Sequence, residues 1–287
     1  MQSSGVWAYQ PMADMSVADF RDWQKLLEER SGVVVSDQRR AFVQANLSAR
    51  MRELGLSSYA QYFAQVQAGA QGAVEWSILM DRLTVQETCF FRHAASFALL
   101  KKYLSERVAG VTRKPWSLWS VGCASGEEAY SMAMLADQLL AEAGAPKHFG
   151  VHATDLSYSA LEKARHARYR ARSLERVEAS LQARYFQPCQ DGMYQIIPDL
   201  SAHVCCARLN VLELAQAPLQ GLDVIFCQNL LIYFRRWRRR EILNHLAQRL
   251  ALGGLLVIGV GEIAGWQHPD LEPVADKGVL AFIRKSL

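Results

Sequence analysis

The sequence predicts an α/β protein in which a small all-α N-terminal domain precedes a mostly parallel sheet covered on both faces. Two observations predict this class. About the first 100 residues carry apolar side chains at helical spacing, and GVVV at 32–35 is their one strand-like run. From Lys114 onward, short apolar runs alternate with amphipathic segments, which is typical of a parallel sheet with helices on both faces.

The N-terminal part is predicted to form four helices, at 17–29, 39–54, 59–67 and 75–83. In the second of them, five apolar side chains are expected to share one buried face: Phe42, Ala45, Leu47, Met51 and Leu54. Four arginines lie off that stripe: Arg39, Arg40, Arg50 and Arg52.

The α/β part is predicted to contain strands at 117–121, 150–154, 223–227 and 255–260, with helices at 127–143, 158–167 and 235–252. The extended stretches 192–197 and 203–207 are expected to pair as a small inserted hairpin. A last antiparallel pair, 271–274 with 279–284, is expected to turn at Asp276-Lys277-Gly278.

Composition indicates a globular protein and gives no sign of a membrane span or a signal peptide. With 51% hydrophobic and 21% charged residues, the chain has the composition of a globular protein. It contains no apolar run near the ~18–20 residues of a membrane span, and MQSSGVWAYQ lacks the pattern of a signal peptide, so we expect a cytoplasmic protein. None of the six cysteines forms a CxxC pair, so we expect reduced thiols and no metal site.

The stretch WSVGCASGEEAYS at 119–131 places a small-residue turn between a strand and a helix. Gly122, Ala124 and Gly126 would let a ligand approach the backbone, although a tight structural turn has the same spacing. Two acids follow at once, Glu127 and Glu128. They suit the N-terminus of a helix, but they would repel a pyrophosphate and attract an ammonium group.

The next strand ends at Asp155, where a carboxylate is placed to accept hydrogen bonds from ribose hydroxyls. A ribose and a positive group together indicate S-adenosylmethionine. Its carboxylate needs a cation, and Arg92 is a candidate because arginine binds carboxylates through two parallel hydrogen bonds. An arginine beside the core aromatics Phe90 and Phe91 also fits an ordinary surface position.

Six motifs occur in order along the chain: LTVQETCFFR, WSVGCASGEEAYS, ATDLS, RYF, LNVLE and VIFCQNLLIYF. Together they resemble the CheR family of chemotaxis receptor methyltransferases from about residue 15 to the C-terminus. The resemblance implies a Rossmann-like class I methyltransferase sheet and transfer of methyl groups to receptor glutamates, with S-adenosylhomocysteine as product and no metal. It also implies a docking domain at 14–85, a linking segment at 86–115 and a methyltransferase domain at 116–287 with a β-subdomain at about 187–208.

The resemblance assigns roles to individual residues. Thr88 and Arg92 would meet the methionine moiety, and Gln86 and Gly122 would also bind the cofactor. Glu128 would take the ammonium and Asp155 the ribose. Asn210 and Val211 would border the adenine, while Gln228 and Asn229 would line the site. Arg92 and Tyr233 would act at the reacting groups. A glutamate acceptor is ionised at pH 7, so no catalytic base is expected, and His93 and His152 are interpreted as structural.

Several positions depart from the family pattern. Gln86 stands for a usual Asn, Gln228 and Pro188 for usual arginines, Arg235 for a usual Asp, and Val260 for a usual His. These departures indicate a divergent branch, such as the PilK type associated with type IV pilus signalling. They leave a second hypothesis open, a catalytically weak cofactor-binding regulator that acts by docking.

The expected partner is a methyl-accepting receptor with an acidic helical methylation region. The resemblance implies that Arg39, Arg40, Arg50 and Arg52 dock on it. The run from Arg235 to Arg240 fits a solvated helix start with Trp237 and Ile242 facing inward, or else a surface for an acidic partner. We expect no nucleic-acid partner, no membrane insertion and a monomer.

Overall fold

The structure is a computed structural model that describes residues 14–108 and 114–285. The stretch MQSSGVWAYQ, residues 109–113 of the expected linking segment and the last two residues lie outside the described part. The chain divides into two compact units, Met1–Thr84 and Val85–Leu287.

The first unit is all helical. Its α-helices are α1 (Val17–Ser31), α2 (Arg40–Glu53), α3 (Tyr59–Gln67) and α4 (Gly69–Leu83), with a 3₁₀ turn at Asp37–Arg39. Helix α1 begins at Ser16, whose side chain exchanges hydrogen bonds with Asp19 in a capping box, and ends at Gly32, whose φ is 76°.

The buried face of α2 differs from the predicted one. Leu47 and Met51 are buried as expected, but Val43 and Ser48 complete that face, whereas Phe42 and Ala45 are exposed. Val43, Leu47 and Met51 follow one another at i, i+4 spacing, which places them on a single stripe one residue away from Phe42.

The second unit contains a seven-stranded sheet in the order β6-β2-β1-β7-β8-β10-β9. The strands are β1 (Trp116–Val121), β2 (Phe149–Asp155), β6 (Val204–Arg208), β7 (Leu222–Cys227), β8 (Leu250–Ile258), β9 (Leu271–Pro273) and β10 (Leu280–Arg284). Neighbours from β6 to β8 pair in parallel, and the last two pairings are antiparallel, which confirms the predicted C-terminal pair.

Helices cover both faces of this sheet, as the alternating pattern predicted. They are α5 (Ala94–Val108), α6 (Glu127–Glu142), α7 (Tyr158–His166), α8 (Ala179–Tyr185), α9 (Pro198–Ser201) and α10 (Arg236–Arg249). Three 3₁₀ turns stand at Ala171–Leu174, Val211–Gln216 and Leu231–Tyr233. One apolar cluster includes side chains of α5 and α6, and the other includes side chains of α10. The sheet therefore lies between two layers of buried side chains.

A small antiparallel sheet is present as predicted, but with a different pairing. Its strands are β3 (Arg168–Arg170), β5 (Met193–Ile196) and β4 (Phe186–Pro188), with β5 in the centre. The expected pairing of 192–197 with 203–207 is wrong, because residues 204–208 join the edge of the main sheet beside β2. There Val204 and Cys206, at alternate positions, pack against the larger core.

Among the described helices, none combines the length and the apolar character that crossing a membrane requires.

Candidate active site

The site lies where the order of the sheet reverses. Strand β1 pairs with β2 on one side and with β7 on the other, so connections leave β1 in opposite directions. Ligands of open α/β sheets bind at the carboxyl ends of the strands at this kind of position. Several residues with predicted roles follow β1, β2 and β7.

The turn after β1 is held tightly against its neighbours. The N–H groups of Gly122 and Cys123 both donate to the carbonyl of Thr154, at 2.8 and 2.9 Å. Gly126 has a φ of 95°, and a Cβ added there would come within 2.9 Å of the Cβ of Ala164 on α7. A side chain at Gly126 would therefore push α7 away from the turn.

Asp155 joins this turn to the end of β2. Its Oδ2 accepts the N–H of Ala124 at 2.9 Å, and its Oδ1 accepts the N–H of Ser157 at 2.9 Å. Ala124 has a φ of 47°, which is uncommon for a residue with a side chain. The half-buried carboxylate thus orders both turns at the switch point.

Glu128 lies in the first turn of α6 with its side chain half buried. The Ser120 hydroxyl donates a 2.7 Å hydrogen bond to its Oε1. Burial raises the pKa of Glu128 to about 7; the negative charge of Glu262 adds to the rise, whereas the Ser120 hydrogen bond and the charge of Arg92 oppose it. A positive group placed beside this carboxylate would be bound strongly.

Glu127 is more deeply buried than the neighbouring Glu128. It is buried, and the Ser125 hydroxyl donates to it at 2.7 Å. Burial also raises its pKa.

The segment before α5 packs against the same unit. The Gln86 amide donates to the hydroxyls of Ser157 and Ser159, at 2.9 and 3.2 Å, and the Phe91 N–H donates to Ser131 at 3.0 Å. Phe91 has a φ of 50°, the second such residue at this site.

Arg92 follows directly, with Nη1 donating to the carbonyl of Glu87 at 2.8 Å. Its charge acts on Glu128, so the structure brings these two predicted residues within electrostatic reach. Thr88, in the same segment, is half buried.

The loop after β7 begins with two amides in different environments. Gln228 is buried, and its Nε2 donates to the Ser96 hydroxyl at 2.9 Å; its Oε1 has no hydrogen-bond partner among the described residues. Asn229 has a φ of 59°, and its Oδ1 lies 2.8 Å from Nε2 of His93. His93 therefore has a hydrogen-bond partner in the motif loop, which the sequence did not reveal. Tyr233 ends the following 3₁₀ turn and is half buried.

Glu262 and Arg239 hold this loop, and sequence reasoning missed both. The buried Glu262 carboxylate accepts the N–H groups of Asn229 and Leu231, the latter at 2.7 Å. Arg239 donates to the carbonyls of Phe234 and Glu262, at 2.8 and 2.6 Å. The available signal was a glycine near the end of a predicted strand, Gly259, followed three residues later by an acid.

Asn210 and Val211 follow β6. The Leu209 N–H donates to the Asp155 carbonyl at 3.0 Å, which places this segment beside the end of β2. Asn210 caps the 3₁₀ turn by accepting the Leu212 N–H at 3.1 Å, and Val211 packs against the smaller core.

The four predicted docking arginines lie in the first unit and differ in their contacts. Arg39 stacks over the Phe42 ring at 4.6 Å, Arg40 donates to the Met15 carbonyl, and Arg52 is exposed. Arg50 pairs with the buried Glu75 through two hydrogen bonds, of 2.7 and 2.8 Å, so its guanidinium is bound within the unit. Of the four, Arg50 has the guanidinium that is most fully engaged by carboxylates of its own unit.

No three His, Cys, Asp or Glu side chains within the described ranges are grouped as metal ligands.

Comparison with known proteins gives two family matches. Residues 86–277 match the CheR methyltransferase, SAM binding domain, and residues 18–84 match the CheR methyltransferase, all-alpha domain. The "Chemotaxis protein methyltransferase" of Escherichia coli (strain K12) is 34% identical over 252 residues, or 86% of this chain and 85% of that protein. "Chemotaxis protein methyltransferase 1" of Pseudomonas aeruginosa is 31% identical over 254 residues, 85% of this chain and 90% of its own length. The predicted resemblance is thereby confirmed: the chain belongs to the CheR methyltransferase family and carries both of its domains.

Proposed function

We propose that this protein transfers a methyl group from S-adenosylmethionine to glutamate carboxylates of a methyl-accepting signalling receptor, forming methyl esters and S-adenosylhomocysteine. One observation carries the proposal: Glu128 and Asp155 flank the turn after β1, at the point where the order of the sheet reverses. The relatives named as chemotaxis methyltransferases support the same reaction. We extend the proposal to type IV pilus signalling because the departures from the family pattern indicate a divergent branch.

The side chains fit this cofactor. A neighbouring cation stabilises the charged form of a half-buried carboxylate whose pKa is raised, so Glu128 suits the ammonium group. Asp155 has oxygens at the carboxyl end of β2, where ribose hydroxyls can donate to them. Asn210 and Val211, beside that strand end, suit the adenine.

The remaining predicted contacts are joined to these residues by the fold: Gln86 donates to Ser157, which donates to Asp155, and Asn229 follows β7, which pairs with β1. We assign Gln86 and Thr88 to the methionine end, and Gly122, Gln228 and Asn229 to the wall of the site.

Bound S-adenosylmethionine supplies an electrophilic methyl group on a sulfonium. The chain then has to orient the acceptor and exclude water, because a glutamate carboxylate is already ionised at pH 7 and needs no base. We assign Arg92 to the methionine carboxylate and Tyr233 to alignment of the incoming carboxylate. The fixed backbone of the loop after β7 supports this role for Tyr233.

For receptor docking we assign Arg39, Arg40 and Arg52 of the first unit. An acidic helix would be attracted to these cations, and the attraction would weaken with salt. Arg50 is left out because Glu75 already binds it.

Gln228 favours a second candidate function, a cofactor-binding regulator with weak transfer. A buried amide bonded to Ser96 offers no positive charge to an acceptor carboxylate. Calorimetric titration with S-adenosylhomocysteine and methyl transfer to a receptor fragment separate the two. The enzyme predicts binding and transfer, both reduced in Asp155→Ala. The regulator predicts binding without transfer.

A further inference from the structure

Three large apolar side chains are exposed around the loop after β7. Ile232, Trp237 and Val260 have exposed fractions of 50%, 56% and 65%. The expectation that Trp237 faces inward is wrong; Ile242 is buried as expected, and the Arg238 guanidinium stacks on the indole at 4.2 Å. Isolated exposed apolar residues are ordinary, but a group of them marks an interaction surface.

Hydrogen bonds bring together the segments that carry these three exposed side chains, beside the loop that carries Asn229 and Tyr233. Ile232 directly precedes Tyr233, and Trp237 follows in the first turn of α10. Val260 follows Gly259, whose N–H donates to the Cys227 carbonyl at the end of β7, at 3.2 Å. Arg239 donates to the carbonyl of Phe234, which follows the 3₁₀ turn with Ile232, and to the carbonyl of Glu262, which follows Val260. It therefore joins the loop after β7 to the loop after β8.

The same region is basic. Arg235 and Arg236 are exposed at the start of α10. Cations at a helix N-terminus oppose the helix dipole, so helix stability does not account for them. We call Ile232, Arg235, Arg236, Trp237 and Val260 the rim surface. Two of its members, Arg235 and Val260, are departures from the family pattern.

Resting on the proposed function, we propose that the rim surface binds an acidic amphipathic helix of the acceptor protein and thereby presents its glutamate to Tyr233. The apolar face of such a helix packs on Ile232, Trp237 and Val260, and its acids lie against Arg235 and Arg236. Amphipathic helices dock through apolar side chains at i, i+3, i+4 and i+7, and charge complementarity sets their register and association rate.

An anionic membrane would also suit exposed apolar and basic side chains. The position of the rim surface disfavours it. A bilayer lying on Ile232 and Val260 would cover the loop that carries Asn229 and Tyr233, and would close the site to an acceptor carboxylate.

The test uses the full chain and two synthetic peptides of about 20 residues, long enough for a helix of about 30 Å. One peptide places glutamates and leucines on opposite faces of a helix, and the other has the same composition in scrambled order. Binding is measured by fluorescence anisotropy for wild type, for Arg236→Glu with Trp237→Ala, and for Val260→Ser. Leu252→Ser and Lys102→Glu are matched controls, because both residues are exposed outside the rim surface.

We expect the rim variants to bind the amphipathic peptide about tenfold or more weakly, while the controls bind as wild type does and every variant keeps its affinity for S-adenosylhomocysteine. Equal binding of both peptides, or unchanged binding by the rim variants, would overturn the inference. So would selective loss of binding to vesicles of anionic phospholipid. Because peptide binding needs no methyl transfer, a wild type that binds the helix but forms no ester would refute the proposed reaction alone.

Discussion

Gly259 leaves open the space that the Glu262 carboxylate fills, since a Cβ added to Gly259 would overlap Oε1 and Cδ of Glu262. The carboxylate in turn accepts the N–H groups of Asn229 and Leu231. A glycine at the end of β8 therefore determines how the loop with Tyr233 is held. We interpret Glu262 as a positioning residue for that loop.

Glu262→Ala should destabilise the protein and slow transfer. It would leave two N–H groups without their acceptor, at a cost of about 1–3 kcal/mol each when they stay buried. Urea unfolding and kcat for a receptor fragment measure both effects. Glu262→Gln keeps one acceptor oxygen and should retain part of the activity. A Glu262→Ala variant with the kcat of wild type would show that the loop needs no such support.

Cofactor affinity should rise with pH around neutrality. The pKa of Glu128 is raised by burial to about 7, so its carboxylate gains charge between about pH 6 and pH 8 and then attracts an ammonium group. Calorimetric titration with S-adenosylhomocysteine across this range should show the increase in wild type. Glu128→Gln should bind more weakly, and its affinity should change little over the same range.

The stability of the protein gives an independent check on Glu128. Its folded-state pKa lies above the ordinary value of 4.5, so its contribution to stability is fully present below pH 4.5 and is lost as pH rises through about 7. Glu128→Gln should therefore be more stable than wild type at about pH 8, by on the order of 1–3 kcal/mol. A variant less stable than wild type at that pH would contradict the assignment.

Asp155→Ala should weaken binding of S-adenosylhomocysteine by about 10–100-fold, the value of one charged hydrogen bond of about 1.5–3 kcal/mol. It should also loosen the turn after β1, because Ala124 loses its acceptor. Asp155→Asn is the matched control, since an amide oxygen can still accept one of the two N–H groups. Unchanged titrations for Asp155→Ala would remove Asp155 from the cofactor site.

Tyr233→Phe should lower kcat by about tenfold or more and leave the Kd for S-adenosylhomocysteine nearly unchanged. The reason is that the hydroxyl is assigned to the reacting carboxylate, where an interaction specific to the transition state affects kcat. An equal loss of kcat and of cofactor affinity would count against this role.

Arg50→Ala should destabilise the first unit, whereas Arg52→Ala should leave its stability unchanged. Removing Arg50 takes the charged hydrogen-bond donor away from the buried Glu75 carboxylate, whose pKa the Arg50 hydrogen bonds hold below its usual range, although the Tyr62 hydroxyl still donates to it. Breaking such a pair costs about 3–5 kcal/mol when both partners are buried, and less here because Arg50 is partly exposed. Thermal unfolding measures the difference. If both variants lost receptor affinity and kept the stability of wild type, Arg50 would instead be a docking residue.

Periodicity predicted most of the main elements, but it missed α5 and the first turns of α4. The strands around β1, β2 and β7 follow from apolar runs that buried parallel strands require, and α3 was predicted to the residue. The candidate site was placed by the same reasoning, because ligand-binding residues stand at strand ends at a switch point, and that placement stays a prediction.

Pairing and tertiary contacts did not follow from local pattern. Residues 193–196 and 204–208 are both short and extended, and nothing in their own sequence says that the second joins β2. The bonds of Glu262 to the loop after β7 span about 30 residues, and that of His93 to Asn229 spans 136. Trp237 was predicted to face inward but is exposed. Helical spacing alone does not say which face of a helix packs against the rest of the protein.

The central claim, carboxyl methylation of a receptor, is tested most directly by incubating the protein with radiolabelled S-adenosylmethionine and the cytoplasmic fragment of a methyl-accepting receptor. The account predicts label that base releases as methanol, and that is lost when the receptor glutamates are replaced by alanine. Base-stable label, or label unaffected by those replacements, would contradict it.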